Sequence, residues 1–362
     1  MPKQEQQPAS DEVTEVAPGV LRMQLPIQFT GLGHVNMYGL VDRHGLAVVD
    51  PGMPGRQSWR AVVAALRRAG FCVGDVHTVV ITHSHPDHFG GAARLAREAG
   101  AAVVAHADFN VPWLGPAEPD VASLEDGDDI VGTTGMAVSD PGRLRVPWRA
   151  PGDAMRPPQL PRSVPGPVLK LAWRLGRRYL QAPTPTRLLT DGAAIRLADR
   201  DWFAVHTPGH TADHLCLYDP EHRLLLAGDH VLPTITPHVS GIGCGRDPLR
   251  QYLDALETVA RLDVGLALPA HGHPFTDLSA RTAQIARHHD ERLDRLRQIG
   301  AADGALTVET FSHALFPPGQ WGLMAESEVF AHLEHLRRAG SARARRQHGA
   351  LVYDLAEEGD RP

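Results

Sequence analysis

Four side chains able to bind a metal ion fall within six residues of this chain: His83, His85, Asp87 and His88, in the run Thr82-His83-Ser84-His85-Pro86-Asp87-His88. The run follows Val79-Val80-Ile81, an apolar stretch that reads as the end of a buried strand. Imidazole and carboxylate groups each offer a lone pair to a divalent cation. Zn²⁺ favours such N/O donors in open catalytic sites that hold water. A hydrophobic core would not admit so many polar groups without partners, and a solvated turn has no use for three imidazoles. Three more donors occur downstream: His210 in Thr207-Pro208-Gly209-His210-Thr211, Asp229 after Leu224-Leu225-Leu226-Ala227-Gly228, and His271 after Leu266-Ala267-Leu268-Pro269-Ala270. Each follows or nearly follows a short apolar run, and sites in layered α/β folds gather at strand ends.

This ordered set is His83-x-His85-x-Asp87-His88, then His210, Asp229 and His271, with Asp50 upstream in Val48-Val49-Asp50-Pro51-Gly52. It resembles the metallo-β-lactamase superfamily over roughly residues 15–105 and 190–275, and within it the glyoxalase II-like branch of dinuclear hydrolases. The resemblance implies two divalent metal ions, Zn²⁺ first, with Fe and Mn also suited to these ligands. By the same resemblance His83, His85 and His210 hold one ion, Asp87, His88 and His271 hold the other, and Asp229 bridges them. Two such ions about 3.5–4 Å apart can share a hydroxide and clamp the attacking and substrate oxygens. Asp50 either orients a ligand imidazole through its other nitrogen or is a turn residue before Pro51-Gly52. His230 and His273, beside ligand candidates, support a ligand from behind or face the substrate at most, and are solvated at least.

The reaction so implied is hydrolysis: a metal-bound hydroxide attacks a thioester or ester carbonyl, and one metal takes up the charge on its oxygen. Asp87 is the candidate catalytic residue, orienting the hydroxide and handling its proton. The expected substrate is a small-molecule acyl thioester or ester. An alternative is a metal-dependent endoribonuclease or phosphodiesterase, since the same ligands would bind a scissile phosphate. A non-enzyme alternative is a nucleic-acid-binding regulator with a metal-sensing domain.

These donors need elements to position them. Periodicity supports an α/β fold, and the resemblance implies a four-layer αβ/βα sandwich with a smaller, mainly helical C-terminal domain. Residues 1–12 read as a disordered tail and 13–275 as the catalytic domain. Val20–Leu25 alternates at period two, Leu46–Val49 is a buried-strand run, and Arg56–Ala69 reads as a helix ending at Gly70. Further strands are expected at 101–105, 193–197, 203–206, 215–218 and 224–227, and a helix at 248–262.

Residues 108–186 break the pattern as a Pro-rich insertion, expected to act as a lid. A basic amphipathic helix, Val168 to Leu180, would present Arg174, Arg177 and Arg178 to an anionic substrate, rest on a membrane surface, or pack with a solvated outer face. From 276 to 362 the order is a long helix (278–299), a helix capped by Thr307, a third helix (326–339) and a hairpin turning at His348-Gly349. That order resembles the winged-helix extension of lactamase-β-like proteins. Arg337, Arg338, Arg343, Arg345 and Arg346 near the wing would contact phosphates or form a solvated edge. His288, His289, His332 and His335 are expected to be exposed.

The chain has 362 residues and a net charge of −6, which counts against a dedicated nucleic-acid binder. Its 3 Cys, Cys72, Cys216 and Cys244, show neither zinc-ribbon nor disulfide-framework spacing. With no apolar leader and no membrane-spanning run, a cytoplasmic location is expected. Oligomeric state is open.

Overall fold

Valine- and leucine-rich runs that are apolar on both faces can be stable only between two other layers, and the fold buries them so. The computed structural model describes residues 2–27, 31–111, 137–140, 143–150, 182–242 and 247–355. The first sheet comprises β1 (Val13–Ala17), β2 (Val20–Pro26), β3 (His34–Asp42), β4 (Gly45–Val49), β5 (Val76–Val80), β6 (Ala102–His106) and β9 (Arg187–Leu189), in that order. The second comprises β10 (Ala194–Leu197), β11 (Arg200–His206), β12 (Leu215–Asp219), β13 (Leu224–Gly228) and β14 (Leu266–Pro269).

β1 to β4 form an antiparallel meander, whereas β4, β5, β6 and β9 are parallel. Parallel neighbours need crossovers. The helices α1 (Arg56–Arg68) and α3 (Ala92–Ala99) supply them. In the second sheet β10 to β13 are antiparallel, and β13 and β14 are parallel across α4 (Pro248–Ala260).

Three packed clusters fill the layers. Tyr38, Leu40, Val49 and Val80 of the first sheet meet Trp202, Leu215, Leu217 and Leu226 of the second. Trp59, Val62 and Leu66 of α1, with Leu95 of α3, cover the outer face of the first sheet at Leu46, Val48, Val79 and Val103. Leu249, Tyr252 and Leu256 of α4 cover the second at Cys216, Leu225 and Ala227. The result is the four-layer αβ/βα sandwich.

The C-terminal residues form α5 (Leu278–Asp303), β15 (Leu306–Thr307), α6 (Val308–Leu315), α7 (Leu323–Arg338) and the hairpin β16 (Ala342–Gln347) and β17 (Ala350–Leu355). The Thr307 side chain caps α6 by accepting from Thr310 N. The three strands order as β15-β17-β16. Ile285, Leu293, Phe311, Phe330, Leu336 and Tyr353 of this module share one cluster with α4 and β13. The module therefore extends the fourth layer and has no separate core. No described helix is long and apolar enough to cross a membrane.

Several expectations change. Residues 2–12 are not a loose tail along their whole length: a 3₁₀ turn, Gln4–Gln6, buries the Glu5 side chain completely. Polarity misled here, because Glu5 satisfies Thr234 N, Thr234 Oγ1 and Ile235 N at a distant loop. His289 and His332 are fully buried and meet at 3.0 Å, Nδ1 to Nε2, while His335 pairs with Asp247. These helices lie inside a shared layer, so faces that look solvent-ready are covered.

In the insertion, β7 (Ala137–Asp140) pairs with β8 (Arg143–Arg145). Trp148 is then buried against Phe330, its Nε1 donating to Glu326 Oε2 at 2.8 Å. Arg149 grips the same carboxylate with two nitrogens. The helix expected at 168–180, with Arg174, Arg177 and Arg178, and Cys244 lie outside the described residues.

Candidate metal centre

The seven sequence-selected donors come from four connections at one end of the sandwich. His83 and His85 follow β5. Asp87 and His88 occupy the short helix α2 (Pro86–Phe89), which starts at Pro86, where a missing N–H costs nothing. His210 lies between β11 and β12, Asp229 directly follows β13, and His271 lies just beyond β14. The strands that lead into these loops all end there, so the rigid sheets fix the donors.

The donors form two adjoining groups: His83, His85, His210 and Asp229, and Asp87, His88 and His271. All but His85 are buried. Asp229 stands between the groups. Its Oδ1 is 3.2 Å from His271 Nε2, and its Oδ2 is 3.5 Å from His210 Nε2, 3.5 Å from His88 Nε2 and 3.9 Å from His83 Nε2. Asp87 Oδ2 is 3.6 Å from both His88 Nε2 and His271 Nε2.

The opposite ring nitrogens set the tautomers. His88 Nδ1 donates to Asp50 Oδ2 at 2.8 Å, His210 Nδ1 to the His238 carbonyl at 2.6 Å and His271 Nδ1 to the His34 carbonyl at 2.6 Å. Thr82 Oγ1 donates to Asp50 Oδ2 and so accepts from His83 Nδ1 at 3.0 Å. Each of these four rings therefore turns its Nε2 inward, the arrangement found around metal ligands. His85 Nδ1 lies 2.9 Å from His83 Nε2 and 3.0 Å from His210 Nε2.

A cation suits this arrangement on chemical grounds. Lone pairs converging at such distances repel unless a positive charge sits among them, and bonds of about 2.0–2.1 Å to nitrogen fit a cluster of this size. In addition, His88 Nε2, His271 Nε2 and Asp229 Oδ1 are buried without a hydrogen-bond partner. Buried polar atoms are rarely left so. The residues present fit a pair of divalent cations.

Electrostatics agree. Burial, reinforced by neighbouring imidazoles, holds His83 and His85 well below the usual histidine pKa, so both are neutral donors. Burial disfavours a charge on Asp229, but His271 and His88 outweigh it and keep the carboxyl ionised. Burial likewise opposes charge on His88, yet Asp229, Asp87 and Asp50 raise its pKa well above normal. Cation binding at that ring must displace a proton.

Asp50 takes the orienting position. Buried and in a left-handed conformation (φ 54°), it accepts from Thr82 N, Thr82 Oγ1 and His88 Nδ1. His230 is buried and stacked edgewise on Tyr252. His273 lies outside the groups, 3.0 Å from Arg22 Nη1.

Sequence reasoning missed four neighbours. His214 is buried and its Nε2 accepts from Asp229 N at 3.0 Å; any Cβ at Gly228 (φ +50°) would lie 2.5 Å from that nitrogen. Asp213 accepts from Ser84 Oγ at 3.0 Å, and burial pushes its carboxyl up to about 6. The dense polar run after His210 signals both. His34 and His238 act through their carbonyls, for which a sequence carries no signal. A third group, His106, Asp108 and His206, also clusters. There the two rings stack at 3.9 Å, Asp108 N donates to His106 Nδ1, and His206 Nε2 contacts the Ala212 carbonyl. Those contacts already occupy a nitrogen of each ring.

Fold and donor set together define an αβ/βα sandwich with a candidate dinuclear metal centre. The family model of the metallo-beta-lactamase superfamily matches residues 30–271, and the chain belongs to that superfamily. It is similar to the lactamase-like protein aptB of Emericella nidulans, 30% identical over 35% of this chain and 42% of the relative. It is also similar to the human acyl-coenzyme A thioesterase MBLAC2, 30% identical over 42% of this chain and 40% of the relative. The matched region thus spans about two-fifths of these relatives' length. Among solved structures, a metallo-beta-lactamase family protein from Thermus thermophilus, TTHA1429, is 26% identical with a TM-score of 0.70, covering 94% of this chain and 100% of that one.

Proposed function

We propose that the protein hydrolyses a small-molecule thioester or related ester at a dinuclear centre, in the manner of the glyoxalase II-like branch. The observation that carries this reading is the position of Asp229, within 3.2–3.9 Å of imidazole nitrogens from both donor groups. In this reading His83, His85 and His210 hold one cation, Asp87, His88 and His271 the other, and Asp229 bridges. Bound Zn²⁺, or Fe or Mn, would supply Lewis acidity toward a carbonyl and ionise water near neutral pH.

The chain's own groups do the rest. Asp50 and the His34 and His238 carbonyls fix the tautomers of His88, His271 and His210. The Asp87 carboxylate, 3.6 Å from two imidazoles, is placed to accept and pass on a proton at its oxygen. The layered core excludes bulk water from behind the donors. A thiolate leaves more readily than an alkoxide, because a thiol is a stronger acid than an alcohol. The similarity to MBLAC2, named an acyl-coenzyme A thioesterase, supports this choice of bond. Cysteines without paired spacing fit a reducing cytoplasm.

The order helix, strand, helix, helix, hairpin, with sheet order β15-β17-β16, supports reading the C-terminal module as winged-helix-like. Exposed Arg343, Arg345 and Arg346 on β16 favour a second reading as a phosphodiesterase acting on RNA. Against it, α7 is largely buried against its own chain rather than presented to a groove. Arg337 is also engaged by Glu334, and Arg346 by the Gly349 carbonyl.

The test is a panel of acyl-coenzyme A and acyl-glutathione thioesters, lactones and RNA on purified, metal-analysed protein. Thioester turnover that a chelator abolishes is expected. Cleavage of RNA alone would move the assignment to the second reading.

A further inference from the structure

The loop after β13, residues 232–242, crosses the metal centre and carries His238, whose carbonyl accepts from His210 Nδ1 at 2.6 Å. The N-terminal turn and the C-terminal helices hold that loop along its length. Arg281 of α5 donates to the Leu232 and Ile235 carbonyls, and Glu5 of the N-terminal turn satisfies Thr234 N and Ile235 N. Gly241 lies so close to α7 that a Cβ would approach Phe330 Cδ1 to 2.6 Å and the Ser327 carbonyl to 2.8 Å. Gly241 N also donates to Ser327 Oγ at 3.1 Å. Between these anchors, His238 Nδ1 lies 3.5 Å from Glu328 Oε2, and Glu328 Oε1 pairs with Arg292 of α5. The side chains of His238, Glu328 and Arg292 are each less than one-fifth exposed.

We propose that Glu328 of the C-terminal module is a positioning residue for the metal centre, holding His238 so that its carbonyl fixes the tautomer and direction of His210. The partner of His210 Nδ1 is a loop carbonyl, not a strand or a side-chain carboxylate. His88, in contrast, is held by Asp50 within the sandwich itself. Burial opposes a charge on Glu328, but the contact with His238 and then the ion pair with Arg292 outweigh it, and His332 Nδ1 donates to the Glu328 carbonyl at 2.7 Å, fixing the turn of α7 that presents it. The first donor group, whose last member in the sequence is Asp229, is therefore completed by the far more C-terminal residues Arg292 and Glu328. The C-terminal module serves as a wall of the centre.

This rests on the metal-centre reading but not on the choice of substrate. The test uses the full chain loaded with Co²⁺, whose visible absorption reports ligand geometry, in wild type, Glu328→Gln and Glu328→Asp. Wild type should take up two Co²⁺ per chain. Glu328→Gln should bind one of the two roughly 10–100-fold more weakly, with an altered visible band, and its metal-free Tm should stay close to wild type. Glu328→Asp, which keeps the charge, should restore part of the affinity. Wild-type affinity and spectrum in Glu328→Gln would overturn the positioning role alone. So would an equal loss at both sites accompanied by collapse of the metal-free Tm. Failure of the wild type to bind Co²⁺ would overturn the metal centre itself, and this role with it.

Discussion

At the residue scale the centre depends on direction as much as on presence. Each imidazole is useful only if one nitrogen is held outward, which is why Asp50, the His34 carbonyl and the His238 carbonyl matter. His85→Ala removes a donor that touches two other rings. It is expected to release one metal and reduce turnover to background while circular dichroism stays native. Asp50→Asn keeps the shape but loses the charge that orients His88. Metal retention at the second donor group should fall roughly 10–100-fold, measured by elemental analysis after dialysis against a weak chelator. Full retention would mean that His88 needs no anchor.

At the scale of elements, loops are set by close approach. Gly228→Ala places a Cβ 2.5 Å from His214 Nε2 in a left-handed backbone conformation, next to Asp229. Both the strain and the displaced bridge should lower Tm and metal content together, whereas unchanged metal content would show that the loop can yield. The N-terminal turn has a parallel role. Gly33 N donates to the Glu5 carbonyl, and the Gln7 carbonyl contacts Nδ1 of His34, the residue whose own carbonyl holds His271. Deleting residues 2–7 should weaken metal binding at the His271 group and shorten the lifetime of the metal-loaded protein in a chelator chase. Wild-type kinetics in that chase would make the turn a passive covering.

For the whole molecule, one cluster unites α4, β13 and the C-terminal helices. Unfolding should therefore be a single transition, and a chain ending at residue 277 should expose Tyr252, Leu256 and Leu225 and aggregate. Phe330→Ala, at fully buried Phe330, should cost about 3–5 kcal/mol in denaturant titration. The buried pair His289 and His332 makes this interface acid-sensitive. Burial pushes His332 down to about 4, and burial with the neighbouring His332 pushes His289 down to about 2. The unfolded chain binds protons at these residues below the ordinary histidine pKa of about 6.5, while the folded one does not. Stability should be fully present above that value, decline as pH falls from 6.5 toward 4, and decline less in His289→Phe. Identical pH profiles for the two proteins would remove the pair from the explanation.

In the sequence the candidate donors and the α/β class were legible, while the four layers followed from the family resemblance. Seven histidines and aspartates at the ends of apolar runs mark one end of an α/β fold as the candidate metal centre, because ligands must be polar, strands must be apolar, and the two can meet only at strand termini. Helix limits such as Thr307 and Gly70 are likewise local, written in capping and in glycine. Tertiary structure alone decided how the donors are held. The outward nitrogens of His210 and His271 bind backbone carbonyls, and every residue has one, so no residue type announces them. The burial of Glu5, His289 and Glu328 was equally silent, since a polar side chain looks solvated until a distant segment supplies its partner. Hydrophobic patterning is a property of neighbours along the chain, whereas the satisfaction of a buried charge belongs to neighbours in space.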